Sequence, residues 1–407
     1  MRRLRVFVLT WLSYATYYFA RKNFPVAKRT IETQLGVSPA GLAVIDTTYL
    51  TTYAVGQFAG GWLGDRIGSR RLIGYGMICS AALIAAFGAS SSAMLFALFF
   101  GLNGFVQATG WPGNVKAMAA WYGPTERGKV MGFWSTCFQV GPLAATALAA
   151  YLLAHFGWRT AFLGPAVWVA LVGLLVLLFL QEGPLDTRQK PRPTGAAVKA
   201  AMAEAMRNPI VWLLGASYFG MKLIRYCIDF WLPYYLEKSL GYPRDTAAYV
   251  STAFQFGGIF GAIIIGWISD RWFPGRRGAV AAICTVALAA SLALYGRVAP
   301  LGLAVNFASM ALVGFCLFGP DALISGVAAQ DLGGPLAAAS VAGFINGCGS
   351  VGAIAEGALV HGVSTRFGWQ AVFQALMLLA AGSSLLLGAV WRLQRQHPAR
   401  LATSEAQ

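Results

Sequence analysis

Charge is scarce in this sequence: 11% of its 407 residues are Asp, Glu, Lys or Arg, against about 25% in soluble domains. With 57% of residues hydrophobic, water is not the main solvent of this chain. Acid is the scarcer sign, 15 residues against 31 Lys and Arg, for a formal net charge of +16. The three histidines, His155, His361 and His397, lie at loops or helix ends, where exposure explains them better than a role as metal ligand or base. Cys79, Cys137, Cys227, Cys284, Cys316 and Cys348 fall in separate apolar stretches without CxxC spacing, which argues against a disulfide framework or metal site. A Walker loop, a GxSxG elbow and an HExxH pair are all missing, so ATP hydrolysis and ester or peptide cleavage have no residues to run on. Gly347-Cys348-Gly349-Ser350-Val351-Gly352 matches the dinucleotide fingerprint, but it lies in an apolar run with no strand before it and reads as close helix packing. Neither an enzyme nor a resident cofactor or metal is expected.

What the chain has instead is apolar stretches long enough to cross a bilayer as helices, recurring from the first residues to Trp391. They predict an all-α membrane protein of twelve transmembrane helices, near 5 to 29, 40 to 63, 71 to 90, 93 to 118, 127 to 153, 158 to 180, 209 to 237, 246 to 269, 277 to 296, 300 to 328, 335 to 362 and 368 to 393. The start, Met1-Arg2-Arg3-Leu4-Arg5 before an apolar run, resembles a secretory signal but runs on without a small-residue cleavage site, and is read as the first helix. The one long polar stretch, with Pro184, Pro191 and Pro193, divides the chain into a six-helix half at 1–180, a cytoplasmic linker at 181–208, a second half at 209–393 and a cytoplasmic tail at 394–407.

The basic residues form no stripe or recognition motif, so nucleic acid is not expected as a partner. They alternate by loop. With the N-terminus inside, 19 fall in inner segments, among them Arg66, Arg127, Arg188, Lys190, Arg192, Arg271 and Arg400, and 7 in outer loops. That bias orients a multi-pass protein in the inner, or plasma, membrane with both termini cytoplasmic, its basic loops meeting anionic lipid.

The halves repeat. Gly61-Trp62-Leu63-Gly64-Asp65-Arg66 recurs as Gly266-Trp267-Ile268-Ser269-Asp270-Arg271, 205 residues later, and the Phe-Gly-Trp at 156–158 recurs at 367–369, 211 residues later. Duplicated six-helix units mark secondary transporters, whose sites lie where the repeats meet. Ionisable groups inside the membrane cost about 2.5 to 3.5 kcal/mol each and are usually kept for function. Arg21 and Arg225 stand 204 residues apart, close to the repeat interval, so each half offers one guanidinium, and two such forks suit a phosphate. Helical spacing puts Tyr14, Tyr17 and Arg21 on one face and Tyr218, Lys222, Arg225 and Asp229 on another. The competing reading of both arginines is a structural salt bridge to Asp46, Asp229 or Glu356.

The doubled Gly-x-x-x-Asp-Arg loops resemble the signature of the major facilitator superfamily, which implies that Asp65, Arg66, Asp270 and Arg271 form a conformational latch. Tyr17-Tyr18-Phe19-Ala20-Arg21-Lys22-Asn23-Phe24, Arg225-Tyr226-Cys227-Ile228-Asp229-Phe230-Trp231-Leu232-Pro233, Gly110-Trp111-Pro112 and Glu126-Arg127-Gly128 resemble the organophosphate:phosphate antiporters. That resemblance implies that Arg21 and Arg225 hold the phosphoryl group while a phosphorylated small-molecule anion is exchanged for inorganic phosphate by alternating access. Departures from the branch are Asp229, one place early, and Phe138, where some members carry a histidine that contacts substrate. Glu356 shares a face with Asn346, Gly349 and Ala353; it would set selectivity for the organic group or neutralise Lys222. Lys22, Tyr14, Tyr17, Lys222, Gln107, Trp111 and Gln139 are further cavity candidates, while Lys116 and Asp321 read as gating or snorkelling positions. Two other functions fit the same spans: a membrane sensor of sugar phosphates signalling to a histidine kinase, and a proton-coupled carrier of another metabolite or drug.

Overall fold

The computed structural model describes residues 2–183 and 195–396. Arg188, Lys190, Arg192, His397 and Arg400 therefore lie outside the described residues, as do the three linker prolines.

The described residues are helical. The first half comprises α1 (Arg2–Tyr17), α2 (Asn23–Leu35), α3 (Pro39–Ile67), α4 (Ser69–Ala89), α5 (Ala93–Gln107), α6 (Gly110–Trp121), α7 (Arg127–Trp134), α8 (Cys137–Phe156) and α9 (Thr160–Phe179). The predicted linker contains a helix, α10 (Gly195–Arg207), which buries Val198 and Ala205. Then follow α11 (Pro209–Leu240), α12 (Arg244–Trp272), α13 (Arg277–Val298), α14 (Leu303–Ala322), α15 (Ala329–Ile354) and α16 (Glu356–Gln396). Local chemistry sets the boundaries. Ser38 accepts from the Gly41 amide at 3.1 Å and Asn208 from the Ile210 amide at 3.0 Å, each just before a proline that opens a long helix. Gly334 and Gly368, at φ 54° and 78°, bend α15 and α16, so that 303–333, 335–367 and 369–396 are three spans.

Three spans predicted as continuous, 5–29, 93–118 and 127–153, are each interrupted. Pro25 cannot donate to Arg21, nor Pro112 to Ala108, and each ring crowds the carbonyl four residues before it. The first span accordingly passes through a 3-10 turn at Tyr18–Ala20, where the amides of Arg21 and Lys22 both reach the Tyr18 carbonyl, at 3.2 and 2.9 Å. In the second, the Thr109 hydroxyl donates to the Val106 carbonyl at 2.7 Å; in the third, Ser135 does the same to Gly132 at 2.8 Å.

The chain packs as two compact units. The first contains residues 1–123 and 136–205 with a piece of the second half, 333–347; the second contains 206–332 and 348–407 with a piece of the first half, 124–135. In the first unit Phe24, Phe87, Phe96, Phe100 and Phe162 are buried together, the Phe87 ring stacking on Phe96 at 4.4 Å and on Phe162 at 4.5 Å. The second unit closes around Tyr235, Tyr295, Phe254, Phe318 and Phe373. Large apolar side chains such as Leu143, Leu178, Leu312 and Leu385 point outward, as a hydrocarbon environment permits.

Backbone packing reports the duplication more sharply than the motifs do. In the first unit a Cβ on Gly56 would stand 2.6 Å from the Phe105 carbonyl, and one on Gly104 would stand 2.5 Å from the Tyr49 carbonyl. In the second, Gly261 abuts the Phe315 carbonyl and Gly314 the Phe254 carbonyl in the same way. The α3 residues recur 205 positions later in α12 and the α5 residues 210 later in α14. Both helix pairs are thus pressed to a distance at which only glycine fits.

Filling this seam should be felt. We expect Gly104→Val to cost about 1 to 3 kcal/mol through overpacking, seen as a lower unfolding midpoint in detergent, whereas Gly362→Ala, with nothing within 4 Å, should leave the midpoint unchanged.

Candidate functional site

Arg21 lies in the break of the first span, half-buried among tyrosines of α1, the 3-10 turn and α3. Its guanidinium lies 3.8 Å from the Tyr18 ring centre and 5.9 Å from that of Tyr53. Tyr14 packs edge-on to Tyr18 at 6.0 Å, and Tyr53 stacks with Tyr49 at 6.0 Å. Arg21 Nε is buried without a hydrogen-bond partner, and among the described residues no carboxylate pairs with Arg21. Asp46, a salt-bridge candidate for Arg21 from the sequence, is taken by Lys28.

Tyr14 also meets Trp111 at 5.6 Å and Phe138 at 5.3 Å, forming an aromatic wall. Gln107, 2% exposed, accepts from the Tyr49 hydroxyl at 2.9 Å. Gln139 is half-buried, its Oε1 buried without a partner. Lys22 is half-buried at the start of α2. Tyr17 departs from expectation. It is 2% exposed and its hydroxyl sits 3.2 Å from both the Ile73 carbonyl and the Thr109 hydroxyl, because the 3-10 turn breaks the helical register that would have aligned it with Arg21.

Arg225 has different company. Its Nη1 lies 3.3 Å from Asp321 Oδ2, its Nε 3.7 Å from Asp229 Oδ2, and its guanidinium carbon 4.5 Å from the Phe318 ring centre. Asp321, read from sequence as a gating or snorkelling position, is 1% exposed and belongs to this cluster. Lys222, 6% exposed, donates to Ser350 Oγ at 2.9 Å across Gly349, where a Cβ would meet the Tyr218 ring and the lysine stem. Glu356 accepts from Trp231 Nε1 at 2.6 Å. The helical face proposed for Asn346, Gly349, Ala353 and Glu356 is interrupted at Ala355.

The two motif aspartates do one job in two places. Asp65 is buried, accepts from the amides of Ala339 and Ser340 at 3.2 and 2.7 Å, and pairs with Lys116 Nζ at 3.1 Å. Asp270 accepts from the amides of Gly128 and Lys129 at 3.1 and 2.6 Å and pairs with Arg277. Each carboxylate thus binds amides in the first turns of a helical span from the other sequence half. Asp331 joins the second cluster, 2.7 Å from Arg127 Nη1 and 3.4 Å from Arg277 Nε. The motif arginines lie outside these contacts: Arg66 stacks on Trp62 at 3.7 Å and Arg271 is exposed. Adjacent helical residues project about 100° apart, so the residue after a buried aspartate faces away from its partners.

Residues 10–357 match the family profile described as Major Facilitator Superfamily. The chain is 31% identical over 94% of its length to Putative glycerol-3-phosphate transporter 2 of Arabidopsis thaliana, covering 85% of that protein. It is 30% identical over 95% of its length to Membrane sensor protein UhpC of Salmonella typhimurium, covering 90% of it, and 29% identical over 97% to a Probable hexose phosphate transport protein of Chlamydia trachomatis, covering 92%. The solved human organic anion transporter MFSD10 superposes with a TM-score of 0.74 at 16% identity, covering 95% of this chain and 100% of that one. The fucose:proton symporter FucP of E. coli gives 0.76 at 13%, covering 96% and 99%. These likenesses show the major facilitator fold.

The aspartate contacts make a local prediction. Asp65→Ala should withdraw about 0.5 to 2 kcal/mol from the amides it caps, so hydrogen exchange around Ala339 and Ser340 should speed roughly tenfold, with Asp270→Ala doing the same at Gly128 and Lys129. Unchanged protection in both variants would reject the capping role.

Proposed function

The chain belongs to the major facilitator superfamily and, within it, to the organophosphate:phosphate antiporter family, and we propose that it exchanges a small organophosphate for inorganic phosphate by alternating access. The observation that carries this reading is Arg21, a guanidinium compensated by tyrosine rings and by no carboxylate among the described residues. Such a group is an anion receptor. Arg225 is the second phosphoryl ligand, exchanging its contacts to Asp321 and Asp229 for phosphate oxygens. Lys22, Tyr14, Trp111, Gln107 and Gln139 line the path in the first half, and Lys222 and Glu356 in the second. Asp65 and Asp270 latch one conformation. The protein sits in the cell membrane with both termini and the 181–208 linker cytoplasmic, as the distribution of Lys and Arg favours.

A second reading, a sensor that keeps the phosphate site but moves nothing across, is favoured by the likeness to a membrane sensor. Uptake of labelled phosphate into proteoliposomes preloaded with phosphate or sugar phosphates separates the two. Internal-anion-dependent counterflow is expected; specific binding without counterflow would establish the sensor instead.

Replacement of Arg21 or Arg225 by Lys keeps the charge and removes the bidentate fork. Each should lower the exchange rate at limiting phosphate by about tenfold or more, and wild-type exchange in both variants would remove the arginines from the site.

A further inference from the structure

Beside Arg225, wholly within the second unit, lies a cavity of about 200 Å³ whose polar wall is Asp229, Ser251, Thr252 and Gln255, backed by Leu232 and Phe254. The wall has one hydrogen-bonding sense. Ser251 donates its proton to the Ala247 carbonyl and Thr252 to the Tyr249 carbonyl, both at 2.7 Å, so each hydroxyl has only lone pairs left. Asp229 faces donors on both oxygens: Oδ1 takes a hydrogen bond from Gln255 Nε2 at 2.6 Å and Oδ2 lies 3.7 Å from Arg225 Nε. That bond fixes the orientation of the carboxamide. With its nitrogen committed to Asp229, Gln255 is left with Oε1, which is buried and has no partner. Apart from the second Nε2 proton of Gln255, the atoms left to a ligand are acceptors.

An acceptor-lined wall calls for a ligand rich in donors, and its carboxylate opposes any second anionic group. We propose that this cavity receives the organic part of the cargo and selects a neutral polyol, the hydroxyls of a sugar or glycerol phosphate, over an acid such as a phosphoglycerate. This rests on the phosphoryl role given to Arg225 above. Before phosphate enters, Asp229 stands between Arg225 and Gln255, so the cavity lies one residue from the guanidinium that would take the phosphoryl group. The volume is several times the roughly 30 Å³ share of one water, enough for a chain of carbons bearing hydroxyls. Gln255 is the specificity-determining residue, because its Nε2 holds the Asp229 carboxylate that the ligand's hydroxyls would meet.

The test is competition against phosphate self-exchange by the full-length protein in proteoliposomes. Four probes are used: a hexose 6-phosphate, 3-phosphoglycerate, ethanolamine phosphate, and methyl phosphate, which carries the phosphoryl group without hydroxyls. The hexose phosphate should half-inhibit at a concentration roughly tenfold below each of the other three, the worth of one or two hydrogen bonds. Gln255→Leu should shrink the ratio between hexose phosphate and methyl phosphate about tenfold, and Gln255→Lys should shift preference toward 3-phosphoglycerate. A wild-type protein that takes 3-phosphoglycerate as readily as the hexose phosphate overturns the proposal. So does a better fit to ethanolamine phosphate, which would make the cavity a cation site, or a Gln255→Leu protein with the wild-type ratio. Absence of all self-exchange would instead count against the antiport reading, and the same ratios would then be read from equilibrium binding to purified protein.

Discussion

A guanidinium among membrane helices has to be compensated, and the two repeats do it with different chemistry. Insertion of an arginine costs about 2.5 to 3.5 kcal/mol on translocon scales, while a cation–π contact returns about 0.5 to 2 kcal/mol. The rings of Tyr18 and Tyr53 therefore offset only part of the cost at Arg21. Arg225 has Asp321 and Asp229 on either side, an arrangement that more than balances its charge. One arginine is left needing an anion and the other is already supplied with two.

This asymmetry has grown on a symmetric frame. The close approach of α3 to α5 is repeated by α12 and α14 with the same glycine and carbonyl positions at constant intervals. Asp65 and Asp270 repeat the capping of helical spans in the same fashion. These contacts use backbone atoms, so one added carbon at the glycines or one lost oxygen at the aspartates would break them. Side-chain contacts carry no such restriction, and around the two arginines the repeats have diverged: an aromatic wall of Tyr14, Trp111 and Phe138 in one, and in the other the charged Lys222, Asp229, Asp321 and Glu356, with Lys222 bonded to Ser350, Glu356 to Trp231 and the aspartates beside Arg225.

What could be read from the sequence follows the same division. The spans, the duplication and the motif aspartates are written as apolar run length and repeated strings, which need no knowledge of three-dimensional contacts. The fold follows from them. The helix interruptions at 18–22 and 108–109 were also legible, in Pro25 and Pro112, but an apolar run hides the carbonyl four residues back that a proline disrupts. An unbroken helix would put Tyr17 on the face of Arg21. The partners of the charged groups were less legible still: Asp321 is 96 residues from Arg225, and Arg277 rather than the motif's own Arg271 meets Asp270. Spacing in sequence says which residues share a helix face, and only packing says which faces meet.

These unequal surroundings bear on why exchange, rather than one-way passage, suits the proposed site. At Arg21 a bound anion supplies charge that the tyrosines do not. At Arg225 it substitutes for a carboxylate already present, so the gain there is the difference between two charge-assisted contacts and is small. Nearby carboxylates also oppose charge beyond that of the phosphoryl group, since like charges 4 Å apart repel by about 4 kcal/mol at an effective dielectric constant of about 20. Inorganic phosphate and a monoester of it with an uncharged organic group would present the arginines with nearly the same charge and the same terminal oxygens. At the proposed site they would be interchangeable, differing only where the organic group would reach Asp229 and Gln255. A site that treats two ligands alike at its charged centre and separately at its edge can carry either one, and can still tell them apart.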